Sequence, residues 1–118
     1  MRKMSDNEGK ITVHVLDTVR GRGAAGVGLI LANIAGETRK ILARSQTNDD
    51  GRTDVPLLAG AAMHAGIYEV VFDVGVWAGA ASDFYDLIPV RFRINDPGGH
   101  YHVPLLLSGY GYTTYRGT

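Results

Sequence analysis

The sequence predicts an all-β protein, an antiparallel β-sandwich of seven to eight short strands with one short helix. Three observations carry that expectation. Apolar residues recur at every second position in several segments, the period of a strand with one face on a core. Turn-forming pairs such as Gly36-Glu37 and Asp50-Gly51 divide those segments at short intervals. Sixteen glycines in 118 residues fall mostly where apolar segments end, as turn punctuation should.

Each element follows in chain order. Ile11 to Asp17 alternates Ile11, Val13 and Val15 with Thr12, His14 and Leu16, so His14 faces away from the core if the other set faces it. Val27 to Ile34 and Lys40 to Ser45 read as an antiparallel hairpin closed at Gly36-Glu37. Asp50-Gly51 is a turn signal that places Arg52 where the chain re-enters extended structure, with a short edge strand expected after it. Ala59 to Ala65 gives no clear period and reads as a loop, whereas in Ile67 to Val74 Tyr68, Val70, Phe72 and Val74 share one face.

The alanine-rich stretch Val76 to Ser82 is the expected helix, one or two turns long. Ile88 to Ile94 alternates again, with Pro89 suggesting a strand start and Asp96-Pro97-Gly98-Gly99 ending it. In Tyr101 to Ser108 one face carries Tyr101, Val103, Leu105 and Leu107 and the other His102, Pro104, Leu106 and Ser108. After a turn at Gly109 to Gly111, Tyr112 to Gly117 forms a last strand.

Composition narrows the function classes. The length and the 45% apolar content suit one domain; residues 1–10, polar and charged, read as a flexible amino-terminal segment and 11–118 as the folded unit. Twelve basic residues balance twelve acidic ones, leaving no excess charge for a phosphate backbone, so nucleic acid is not an expected partner. The absence of cysteine excludes disulfides, thiolate nucleophiles and cysteine-bound zinc. Without a signal-like amino terminus or a run of about 18 apolar residues, no membrane association is expected and the cytoplasm is the expected location.

The chemistry must then come from other side chains. Histidine suits proton transfer near neutrality, and four are present, at 14, 64, 100 and 102. From pattern alone His14 is a surface histidine. His100 and His102 form a His-x-His pair that projects from one strand face, a spacing that could chelate zinc only with further ligands. Arg52 and Arg116 can each grip a planar anion through paired hydrogen bonds, although a lone arginine is more often a solvated charge. Ser108 lacks a Gly-x-Ser-x-Gly elbow, and Gly21-x-Gly23 opens no helix that could cradle a nucleotide.

Three segments taken together add to this reading. Val13-His14-Val15-Leu16-Asp17-Thr18 leads to Gly21-x-Gly23-Ala24; Asn48-Asp49-Asp50-Gly51-Arg52 follows; and His100-Tyr101-His102-Val103-Pro104-Leu105-Leu106-Leu107-Ser108 runs into Tyr112-Thr113-Thr114-Tyr115-Arg116-Gly117-Thr118. In order and spacing these segments resemble the signatures of the 5-hydroxyisourate hydrolases of the transthyretin-like family, from about residue 11 to the end. The resemblance implies a transthyretin-like sandwich of two four-stranded sheets, a homotetramer with substrate sites in a channel between dimers, and the hydrolytic ring opening of 5-hydroxyisourate without metal or cofactor. It implies His14, His102 and Arg52 as catalytic residues and His14, Arg52, Tyr115 and Arg116 as substrate-binding ones. The chain departs from the usual hydrolase pattern at Gly23 and Gly109, where proline is common, and at Thr113 and Thr118, where serine is. Transthyretin, the hormone carrier of the same fold, lacks the catalytic histidines and the Tyr-Arg-Gly ending. The alternative, a non-enzymatic small-ligand carrier, would require an apolar channel without convergent histidines.

Overall fold

Strand β1, Lys10–Asp17, shows the alternation that organises the molecule: Ile11, Val13, Val15 and Asp17 are buried, and the residues between them are half-exposed. In this computed structural model, which describes residues 8–77 and 84–118, eight further strands follow: β2 (Arg22–Gly23), β3 (Gly28–Ala35), β4 (Thr38–Gln46), β5 (Leu58–Ala59), β6 (Gly66–Asp73), β7 (Leu87–Ile94), β8 (His100–Leu107) and β9 (Tyr112–Thr114). Two of the nine are two-residue pairings, which leaves seven of ordinary length.

The strands form two sheets. One has the order β2-β1-β8-β9 with β5 also on β1; the other has the order β4-β3-β6-β7. The second sheet is antiparallel throughout. In the first, β1 and β8 run parallel, with Thr12 level with His102 and His14 level with Pro104. That pairing modifies the fully antiparallel expectation, and local alternation could not have announced it, because it joins the two ends of the chain.

The inner faces supply one core. Ile11, Val13, Val15, Val103, Leu105 and Leu107 from the first sheet meet Leu29, Leu31, Val70, Phe72, Ile88 and Ile94 from the second. Each such side chain contributes about 1.5–3 kcal/mol on burial, and no disulfide supplements them. The predicted face assignments of β1, β6, β7 and β8 agree with this core.

Several boundaries moved. The edge strand expected directly after Arg52 begins only at Leu58: Pro56 offers no N–H, and the pairing with β1 opens with the Leu57 N–H donating to the Ile11 carbonyl. The stretch read as a loop before β6 contains one 3-10 turn, Gly60–Ala62. Pro89 is the third residue of β7, tolerated there because β7 is an edge strand with β6 as its only neighbour among the described residues. Of the helix expected over Val76 to Ser82, residues 78–82 lie outside the described residues; Val76 lies in a turn.

Candidate active site

The outer face of the first sheet assembles the site. Parallel pairing of β1 with β8 puts Lys10, Thr12 and His14 beside His100, His102 and Pro104 on one surface. The free edge of β1 is then closed by the 48–52 turn: Val15 donates to the Gly51 carbonyl and accepts from Ala24. Asn48 holds that turn in shape, its Oδ1 accepting from the backbone N–H groups of Asp50 and Arg52. Arg52 is thereby delivered to the histidine face.

A cavity of about 310 Å³ lies there, lined by Thr12, Val13, Arg52, Thr53, Asp54, Val55, Pro56, His100, His102 and Thr118. Its size is at the lower end of small-molecule sites. His102 stands half-buried in its wall, and burial holds the imidazole below its ordinary pKa, with the charges of Arg52, His100 and His14 acting in the same direction. His100 is also lowered, by burial and then by Lys10 and Arg116. Both rings therefore favour the neutral form, which can accept a proton.

Hydrogen bonds fix the rings. Thr12 Oγ1 lies 2.7 Å from His100 Nε2 and 2.8 Å from His102 Nδ1, while no partner among the described residues engages His102 Nε2. His14 donates from Nε2 to the Asp50 carbonyl at 2.9 Å. Gly23 explains how that carbonyl comes so close: a Cβ on residue 23 would sit 2.3 Å from the Asp50 oxygen. The departure from proline at this position thus makes room for the acceptor that His14 uses, beyond any loosening of the turn.

The expected residues are not all gathered in one place. Arg52 and His102 line the cavity; His14 lies on the same sheet face, tied to the turn that carries Arg52. Tyr115 and Arg116 open instead onto a second hollow of about 260 Å³ between β7 and β8, which shares His102 as a wall. Arg116 stacks 4.5 Å over the Tyr101 ring and approaches the His100 carbonyl. Thr12 and Asp54 were not singled out from the sequence, and Thr118 was marked only as a replacement for the family's serine. Thr12 could have been, since it shares strand parity with His14. Among the described residues no three His, Asp or Glu side chains gather in a metal-ligating cluster, and the two imidazoles of the His-x-His pair are joined by the Thr12 hydroxyl.

A two-sheet sandwich whose first and penultimate strands run parallel is the transthyretin-like fold, and here both of those strands carry histidines on their outer face. The chain belongs to the HIUase/Transthyretin family, whose model matches residues 11–117. It is 47% identical over 116 residues to 5-hydroxyisourate hydrolase 2 of Rhizobium meliloti (strain 1021), covering 93% of this chain and 97% of that one. Among solved structures it is similar to Klebsiella pneumoniae 5-hydroxyisourate hydrolase, with a TM-score of 0.77, 30% identity and coverage of 93% of this chain and 99% of that one. It is also similar to an (S)-allantoin synthase, with a TM-score of 0.84 and 38% identity; 98% of this chain is covered but only 46% of that longer one.

Proposed function

We propose that this protein hydrolyses 5-hydroxyisourate to 2-oxo-4-hydroxy-4-carboxy-5-ureidoimidazoline, a step of urate degradation. The observation that carries the reading is the meeting of His102 and Arg52 around one small cavity, in a chain with 5-hydroxyisourate hydrolases among its relatives over 93% of its length. His102 is the general base. Its Nε2 is uncommitted and its neutral form is favoured, whereas Nε2 of His14 is already spent as a donor to Asp50. Water gives a proton to His102 as its oxygen adds to the ring carbonyl, the Arg52 guanidinium offsets the charge that grows on the carbonyl oxygen, and the C–N bond breaks as the leaving nitrogen takes a proton. His14 steadies the turn that carries Arg52 and takes part in orienting water and substrate. Tyr115 and Arg116 supply substrate contacts from the carboxyl-terminal side of His102.

The carrier alternative requires an apolar channel, and a cavity walled by Arg52, Asp54, His100 and His102 argues for chemistry instead. The test is a coupled assay in which a separate oxidase makes 5-hydroxyisourate from urate and its decay is followed. Decay above the spontaneous rate that vanishes in His102→Ala supports the reading; decay at the spontaneous rate removes it.

Assembly into a homotetramer belongs to the same proposal. Phe84, Leu87, Tyr110 and Tyr112 are exposed apolar side chains where edge strands β7 and β9 begin, and Phe84, Tyr85, Tyr110 and Tyr112 are linked by ring contacts of 5.0–6.3 Å. Such a patch beside open strand edges suits a second copy of the chain. Sedimentation at about four times the 12.7 kDa chain mass is expected, and a monomer would remove this part of the proposal.

A further inference from the structure

Thr12 touches two histidines with one atom. Its Oγ1 is 2.7 Å from His100 Nε2 and 2.8 Å from His102 Nδ1, and the parallel register that sets Thr12 level with His102 holds it between rings whose centroids are 6.0 Å apart. A hydroxyl has a single hydrogen. At most one of the two nitrogens can therefore be a bare acceptor, and the other must bring its own hydrogen to the bond.

Resting on the hydrolase reading with His102 as base, we propose that Thr12 and His100 form a proton relay behind His102. Thr12 donates to His100 Nε2 and accepts from His102 Nδ1–H, which leaves the Nε2 lone pair of His102 free for water. This selects the Nδ1–H form of His102 in the resting protein.

The step balances without any further reagent. Water gives a proton to His102 Nε2, the Nδ1 proton of His102 passes to Thr12, and the Thr12 proton passes to His100 Nε2. His102 ends neutral with its tautomer exchanged, His100 ends as imidazolium, and the hydroxide oxygen is bonded to the substrate carbonyl carbon while the former carbonyl oxygen carries the negative charge. When the C–N bond breaks, His102 Nε2–H protonates the leaving nitrogen and His100 returns its proton through Thr12.

Position gives the relay its purpose. His102 is half-buried with Arg52 beside it and His14 on the same face, so positive charge there is opposed from the turn and from β1. His100 is exposed, and although partial desolvation and then the charges of Lys10 and Arg116 oppose its protonation, water reaches the ring and can solvate the charge it holds. The relay moves the cation from a half-buried ring of the cavity wall to an exposed one.

Thr12→Val keeps the side-chain shape and removes the hydroxyl. In the coupled assay we expect kcat to fall about tenfold or more with KM within about twofold, Thr12→Ser to recover most of the rate, and His100→Gln to match the valine variant. The double variant Thr12→Val/His100→Gln should lose no more than either single change, because one chain of transfer is cut in both. Wild-type kcat in Thr12→Val, or losses that multiply in the double variant, would overturn the relay. A direct reading needs no turnover: imidazole ¹⁵N NMR of the unaltered protein above the histidine titrations should show His102 as Nδ1–H, shifting toward Nε2–H in Thr12→Val. An Nε2–H His102 in the unaltered protein rejects the proposal whatever the kinetics. Wild type that leaves 5-hydroxyisourate decay unchanged would reject the hydrolase reading itself, a different outcome from fast wild type with an indifferent Thr12.

Discussion

The outer faces of the two sheets come from the same alternation and have opposite fates. On the second sheet, Glu69 of β6 is flanked by Arg39 of β4 and Arg91 of β7, one guanidinium on each carboxylate oxygen. Burial raises the Glu69 pKa, and the hydrogen bonds and charges of the two arginines outweigh it, so the group sits below its ordinary value of 4.5. Both oxygens of that carboxylate are used. On the first sheet, a nitrogen of His102 has no partner and the Arg52 guanidinium forms no ion pair among the described residues, with a cavity between them. A saturated polar cluster stabilises a fold; polar groups with bonding capacity left over, facing a space, can act on a ligand.

The largest expected effect tests that contrast directly. His102→Ala should lower kcat by about 10²–10⁴-fold, while the thermal midpoint moves by no more than a few degrees. Comparable losses of activity and stability would place His102 with the structural cluster. A subtler disturbance comes next. Gly117 pairs with His102 across the sheet edge, its N–H donating to the His102 carbonyl at 2.9 Å, and a Cβ at residue 117 would stand 2.5 Å from the ring carbon Cδ2. Gly117→Ala must tilt the imidazole. We expect kcat to fall about tenfold, on the general cost of misplacing a catalytic group by an ångström, with little change in KM; unchanged kcat would show that the ring's orientation is not critical.

How far the sequence revealed this arrangement depends on the distance over which each feature is encoded. The two faces of β1, β6, β7 and β8 were legible because alternation is a local property, and so was the Asp50-Gly51 turn. The parallel union of β1 with β8 was not, since it is decided by closing the chain on itself. Parity with His14 placed Thr12 on the outer face of β1, but nothing near residue 12 signals that residues 100 and 102 will lie beside it. His14, Arg52 and His102 were marked by motif resemblance, which records the outcome of that closure without deriving it. Tyr115 and Arg116 were marked the same way, yet within one chain they open onto the neighbouring hollow, a separation that spacing along the strand could not express.

Arg52 sharpens the comparison at a smaller scale. Its charge opposes a proton on His102, so Arg52→Gln should raise the His102 pKa toward the ordinary 6.5. A base that must be neutral then works only at higher pH, and the acidic limb of the kcat profile should move upward. KM should rise severalfold as the anion contact is lost. An acidic limb that stays in place, with KM unaltered, would remove Arg52 from the site and leave the face with histidines alone.

The smallest effect belongs to the saturated cluster and has no catalytic sign. Because folding lowers the Glu69 pKa, its ionised form contributes stability that is fully present above the unfolded value near 4.5 and is lost as pH falls through the folded one. Glu69→Gln removes that titration. The variant should unfold more easily than wild type at neutral pH, by about 1 kcal/mol given that both arginines remain solvated, and the difference should shrink as the solution is acidified below pH 4.5. Turnover of 5-hydroxyisourate at neutral pH should be untouched. If Glu69→Gln instead slowed turnover while leaving acid stability unchanged, the two faces would be energetically joined through the core, and the division between a stabilising sheet and a working sheet would fail.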